Sequence, residues 1–97
     1  MINVAYNKKF IKDLKELKST PLYNEIVTLC YKTIPNCETI KEVLAMSNIK
    51  KMVGWTTYYR FRVGDYRIGV DIEVNESSVT FVRVMNRKSI YDFFSIF

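Results

Sequence analysis

The apolar positions of the chain change period along its length. Ile2, Val4 and Tyr6 alternate with Asn3 and Ala5, a short strand. Asn7 then caps a helix predicted over 8–18, where Phe10, Ile11, Leu14 and Leu17 recur at three- and four-residue spacing and Lys9, Lys12, Asp13, Lys15 and Glu16 take the other side. Ser19-Thr20-Pro21 breaks it and starts a second helix, with Pro in the first turn. Leu22, Ile26, Leu29, Cys30 and Ile34 form its apolar face, and Pro35-Asn36 ends it. From 37 to 54 the pattern weakens. Ile40, Val43 and Leu44 fit a short helical turn begun at Thr39 or Asn36. The rest reads as an extended connection that carries Lys50 and Lys51 to the edge of the strands beyond it.

From Thr56 onward the period is two. Tyr59, Phe61 and Val63 alternate with Tyr58, Arg60 and Arg62, and a second run begins at Tyr66 after Gly64-Asp65. Glycine first in a two-residue loop predicts a type II′ turn, and that turn sets the register. Val63 then faces Tyr66, Arg62 faces Arg67, Phe61 faces Ile68, and Arg60 faces Gly69. Phe61, Val63, Tyr66, Ile68, Val70 and Ile72 share the core face; Arg60, Arg62 and Arg67 share the other. Like charges paired across strands are destabilising, and such local conflicts gather at functional sites. A third strand is predicted over 79–85. An odd loop before it, of three or five residues, places Val82 and Val84 inside and brings Arg83 and Met85 to the arginine face, beside an open space at Gly69; an unpaired cation in the core would cost several kcal/mol. Ser89 caps a last turn. The expected fold is α+β: β-α-α-β-β-β, an antiparallel sheet with two N-terminal helices on one face and a short C-terminal helix or tail.

Composition narrows the function. The 97 residues suit a single domain spanning 1–97, and 48% hydrophobic with 14% aromatic residues excludes a disordered chain. No apolar run approaches a membrane span, and the first residues lack the apolar stretch of a secretory signal, so a cytoplasmic protein is expected. With no histidine, the commonest general base and metal ligand are missing. Cys30 and Cys37, the only cysteines, do not make up a zinc site. Lys plus Arg exceed Asp plus Glu by 15 to 10, and all five arginines lie between Arg60 and Arg87. A cationic sheet face of this kind suits an anionic partner such as nucleic acid.

The stretch Tyr58-Tyr59-Arg60-Phe61-Arg62-Val63-Gly64-Asp65-Tyr66-Arg67-Ile68, followed by Asn86-Arg87-Lys88-Ser89-Ile90-Tyr91, resembles the RelE/ParE superfamily of bacterial and archaeal type II toxins. The resemblance covers essentially the whole chain and implies a RelE-like fold of the microbial-ribonuclease type. Its RelE-like members cut mRNA in the ribosomal A site without metal or cofactor, and an antitoxin protein wraps and neutralises them. By position, Arg60 and Arg62 fall on the family's two basic strand sites, Arg67 on the arginine after the hairpin, and Tyr91 on the C-terminal tyrosine; these four are the expected catalytic set. Lys50, Lys51, Arg83 and Arg87 are the expected RNA-binding set. The sequence departs from the family in having arginine where the strand sites are often lysine, Asn86 where many relatives have histidine, and Met85 where active members have a further arginine. Two alternatives stay open: a ParE-like toxin that inhibits gyrase, and a catalytically degenerate relative that binds an antitoxin.

Overall fold

The computed structural model describes residues 1–54 and 56–89. The chain runs β1 (Asn3–Tyr6), α1 (Lys8–Glu16), α2 (Tyr23–Thr28) continued by a π-helical turn (Leu29–Thr33), α3 (Ile40–Leu44), β2 (Ile49–Lys51), β3 (Tyr58–Val63), β4 (Tyr66–Glu73) and β5 (Ser78–Asn86). The strands form one sheet in the order β1-β5-β4-β3-β2. This is the expected α+β architecture with two corrections. The sheet is mixed, because β1 runs parallel to β5, with Val4 beside Val79 and Tyr6 beside Phe81. It also has an additional strand: β2, expected as a connection, pairs antiparallel with β3.

The buried side chains form one cluster. Phe10 and Leu14 of α1, Ile26, Leu29 and Cys30 of the second helix with Ile34 just after it, and Phe61, Ile68, Val70, Ile72, Val79, Phe81 and Val84 of the sheet all belong to it. Phe10, Phe61 and Phe81 are fully buried, each contributing about 1.5–3 kcal/mol relative to exposure. The Tyr6 ring lies between Tyr31 and Phe81, nearly parallel to both, with centroids 4.3 and 5.1 Å away. Its hydroxyl donates to the Cys30 carbonyl at 2.7 Å, which gives that carbonyl a partner inside the π-helical turn, where a regular α-helical ladder is interrupted.

The β3–β4 hairpin has the predicted register throughout, from Tyr58–Asp71 to Val63–Tyr66. Gly64 has φ +56°, as the first position of a type II′ turn requires. A Cβ there would also collide with Leu22 Cδ1. Between β4 and β5 the loop is even, since Glu73 pairs with Ser78, and the odd step sits inside the strand instead. A bulge makes Val70 face Phe81 while Gly69 faces Arg83, leaving Val82 as the additional residue. Phe81 and Val84 are therefore both buried, and Val82 is only half-buried, not in the core as expected. After β5 the chain enters a helical turn at Arg87, and Asn86 Oδ1 caps it by accepting from the Lys88 N–H at 3.1 Å. The turn expected after Ser89, over 90–94, lies outside the described residues.

A cationic sheet face as candidate functional site

Residues directly opposite one another in adjacent strands share a face. Lys50 of β2 lies opposite Arg60 of β3, which lies opposite Gly69 of β4. Arg62 of β3 lies opposite Arg67 of β4. Asn48 extends this second row: its carbonyl accepts from the Arg62 N–H, and its side-chain amide donates to the Arg62 carbonyl at 3.0 Å. Lys50, Arg60, Arg62 and Arg67 thus stand together on the sheet face turned away from the core. Together with Ser47, Asn48 and Ile49 they line a groove of about 400 Å³. The short β2 completes the group, since its pairing with β3 carries Lys50 beside Arg60.

Arg67 differs from its neighbours. It is 8% exposed, and its Nη1 donates to the Gly64 and Tyr66 carbonyls at 2.9 and 3.1 Å. The turn holds one prong of the guanidinium, and the side chain borders the groove. Arg62 opposite it is exposed. Two arginines side by side, one anchored and one open to solvent, form a concentrated positive site suited to an oxyanion with several oxygens.

The other expected residues are placed differently. Lys51 pairs with Tyr59, a core-facing position, so it points to the opposite side of the sheet from Lys50. Arg83 lies opposite Gly69 as expected, but its charge is met by Asp13 of α1, at 2.6 Å, rather than presented with the cationic group. Gly69 itself is buried, not beside the open space expected there. Arg87 is exposed in the helical turn after β5, its N–H bound to the Asp65 carbonyl at the hairpin tip. Met85 lies opposite Arg67, half-buried. Tyr91, Trp55 and the apolar tail lie outside the described residues. On the same face one row further, Asp71 sits between Tyr58 and Thr80, with its Oδ1 buried and without a hydrogen-bond partner among the described residues. Among the described residues, no group of three or more Cys, Asp or Glu could hold a metal ion, and no helix is long and apolar enough to cross a membrane. Neither Asp13 as the partner of Arg83 nor the Ser47-Asn48 turn as a wall of the groove was expected; neither carries a local sequence pattern that marks it.

Residues 4–91 match the family described as ParE toxin of the type II toxin-antitoxin system parDE. This chain belongs to the RelE/ParE family of type II toxins. The toxin is 40% identical over 93 residues to Toxin RelE3 of Methanocaldococcus jannaschii, covering 96% of this chain and 99% of that protein. Its fold matches the toxin of the RelB–RelE antitoxin–toxin complex from Methanococcus jannaschii, with TM-score 0.70 and 35% identity over 93% of this chain and 98% of that one. The Escherichia coli DinJ–YafQ complex contains the same fold at TM-score 0.71 and 16% identity, covering 94% of this toxin and 99% of the matched chain.

Proposed function

We propose that this toxin is an endoribonuclease that cuts mRNA on the ribosome, and that a cognate antitoxin neutralises it in the cell. The observation that supports this reading is the grouping of Lys50, Arg60, Arg62 and Arg67 across three adjacent strands on one face. Strand cleavage through the 2′-hydroxyl requires that proton to be removed, the additional charge of the phosphorane to be stabilised, and the 5′-oxygen to be protonated. Arg60, Arg62 and Arg67 supply the second requirement. Arg67, anchored by the turn carbonyls, needs little reorganisation as charge develops on the phosphate. An arginine, with a pKa above about 12, does not take the proton. Proton transfer falls to Lys50, to Tyr91 or to groups of the ribosome and substrate. Cleavage in the absence of ribosomes is accordingly expected to be slow.

The relatives support the antitoxin: Methanococcus jannaschii RelE was crystallised with RelB. The family match, which carries the ParE description, keeps gyrase inhibition as a second reading. Primer extension on cellular mRNA after brief induction, beside Arg67→Ala, separates the two. Codon-phased cuts within translated regions, lost in the variant, are expected. Intact mRNA with continued growth arrest would move the assignment to gyrase or another protein target. Intact mRNA with normal growth would make this a degenerate relative, consistent with Asn86 and Met85.

A further inference from the structure

The open face of the sheet changes sign along β4. The β4 residues on that face are, in order, Arg67, Gly69, Asp71 and Glu73. With the neighbouring strands they form rows. Arg62 and Arg67 make the first row, and Lys50, Arg60 and Gly69 the second. Tyr58, Asp71 and Thr80 make the third, and Glu73 with Ser78 the fourth. Successive rows on one face lie two residues apart, about 7 Å along the strand. Two rows with four cations are thus followed by two rows that each carry a carboxylate. The cationic groove ends at the same boundary: Arg60 lines it, and Asp71 does not. The Asp71 side chain is half-buried, and its Oδ1 lies out of solvent without a hydrogen-bond partner among the described residues. A buried carboxylate oxygen in that state lowers stability, and such local conflicts gather at functional sites.

We infer that Asp71 ends the RNA track: its charge turns the phosphate backbone off the sheet after the Lys50–Arg60 row. The inference rests on the ribonuclease reading. Attraction to four cations draws a strand onto the face but does not say where along it each phosphate stops, because Coulomb attraction varies slowly with distance. A repulsive group at one end supplies that stop. A phosphate advanced into the third row would stand against a carboxylate that already lacks donors. At about 7 Å, with a dielectric between those of water and of a protein surface, the repulsion is worth about fivefold in affinity. Glu73, exposed and one row further, acts in the same direction more weakly. With the end of the track fixed, one phosphate is set over Arg62 and Arg67. Asp71 acts on the path of the strand rather than at the reacting atoms, so it is a positioning residue.

The test measures binding of 2′-O-methyl RNA strands of increasing length, which keep their phosphates and lack the attacking hydroxyl. Fluorescence anisotropy is read at several salt concentrations for wild type, Asp71→Asn and Glu16→Gln. Wild-type affinity should stop rising once the strand fills the two cationic rows. Asp71→Asn should bind the longer strands about fivefold more tightly at low salt, with a slope of log K against log salt steeper by about 0.7, one phosphate contact more. Its Tm should be no lower than that of wild type, as the replaced oxygen has no partner to lose. Glu16→Gln makes the same change in net charge on the exposed side of α1, which packs on the core face, and should leave affinity and slope unchanged. Wild-type binding with an unchanged slope and affinity in Asp71→Asn overturns the inference and leaves the ribonuclease reading standing. Equal tightening in Glu16→Gln overturns it too, since net charge alone would then be at work. A lowered Tm with weaker binding in Asp71→Asn makes Asp71 a structural residue, and the inference falls. Wild type that binds none of the strands removes RNA from this face, and the reading and the inference fall together.

Discussion

Asp13 and Arg83, 70 positions apart, meet as a two-pronged ion pair, with Nε to Oδ2 at 2.6 Å and Nη2 to Oδ1 at 3.0 Å. Asp13 Oδ2 also accepts the Val84 N–H at 3.2 Å. The pairing of β1 with β5 stops at Phe81, and among the described residues no strand continues beside the rest of β5. A single carboxylate from α1 thus covers one edge N–H and neutralises the arginine next to it. The side chains are 18% and 12% exposed, so solvent screens the pair only in part.

Replacing Asp13 by Ala should therefore destabilise the toxin by about 2 kcal/mol, between the values for exposed and fully buried pairs. In a domain of this size that lowers Tm by about 10 °C. Arg83→Ala alone should cost less, and the double variant should lie close to Asp13→Ala. A double-mutant cycle by thermal melting checks this; additive effects would mean that the two residues act independently.

The conflict between Arg62 and Arg67 gives a prediction of opposite sign. Like charges directly across a strand pair cost roughly 0.2–1 kcal/mol, and the register places these two face to face. Arg62→Thr should raise stability by about 0.5 kcal/mol at low salt, with the gain shrinking as salt is added, while weakening toxicity. Denaturant melts at two ionic strengths measure it. A loss of stability would mean that Arg62 has a structural role.

On the proposed ribonuclease reading, the cationic face should also set how RNA binding responds to salt. For single strands the slope of log K against log salt is about −0.7 per phosphate contact. Four cations in the groove predict a slope near −3 for a short single-stranded RNA, and Lys50→Ala or Arg62→Ala should each reduce it by about 0.7. Lys51→Ala, on the opposite side of the sheet, and Arg83→Ala, already paired with Asp13, should leave it unchanged. Fluorescence anisotropy titrations give the slopes. An Arg83 effect as large as that of Arg62 would return Arg83 to the RNA-binding set.

The hairpin and its cationic face were readable from the sequence because a two-residue glycine turn propagates one register over every following pair. The same logic called for an odd loop before β5, since Arg83 could not enter the core; the loop is even and a bulge inside β5 supplies the odd step, which alternation alone cannot tell from a loop. Ile49-Lys50-Lys51 is too short to show a period, so β2 was invisible until β3 gave it a partner. The parallel pairing of β1 with β5, and the contact of Asp13 with Arg83, join distant segments and leave no local trace.

At alkaline pH, the buried Cys30 and the half-buried Tyr6 set a limit on the fold. Burial pushes the Cys30 thiol up from 9.0 to about 12. Burial, followed by the nearby Tyr31 and Cys30, pushes the Tyr6 hydroxyl up from 10.0 to about 12. In the unfolded chain both groups ionise at their ordinary pH. The unfolded state therefore loses protons first, and stability falls wherever it binds fewer protons than the native state. The stabilising effect of the neutral groups is whole below about pH 9 and is lost as pH climbs toward 12, with Cys30 acting first and Tyr6 joining above about pH 10. Cys30→Ala should flatten the fall in Tm between pH 9 and 10. Tyr6→Phe should flatten it only above pH 10, and should lower Tm at neutral pH because the hydrogen bond to the Cys30 carbonyl, worth about 1 kcal/mol, is gone. Thermal melts from about pH 8 to 11 on the three proteins decide the matter. Parallel curves for all three would show that the alkaline limit of the fold lies in other groups.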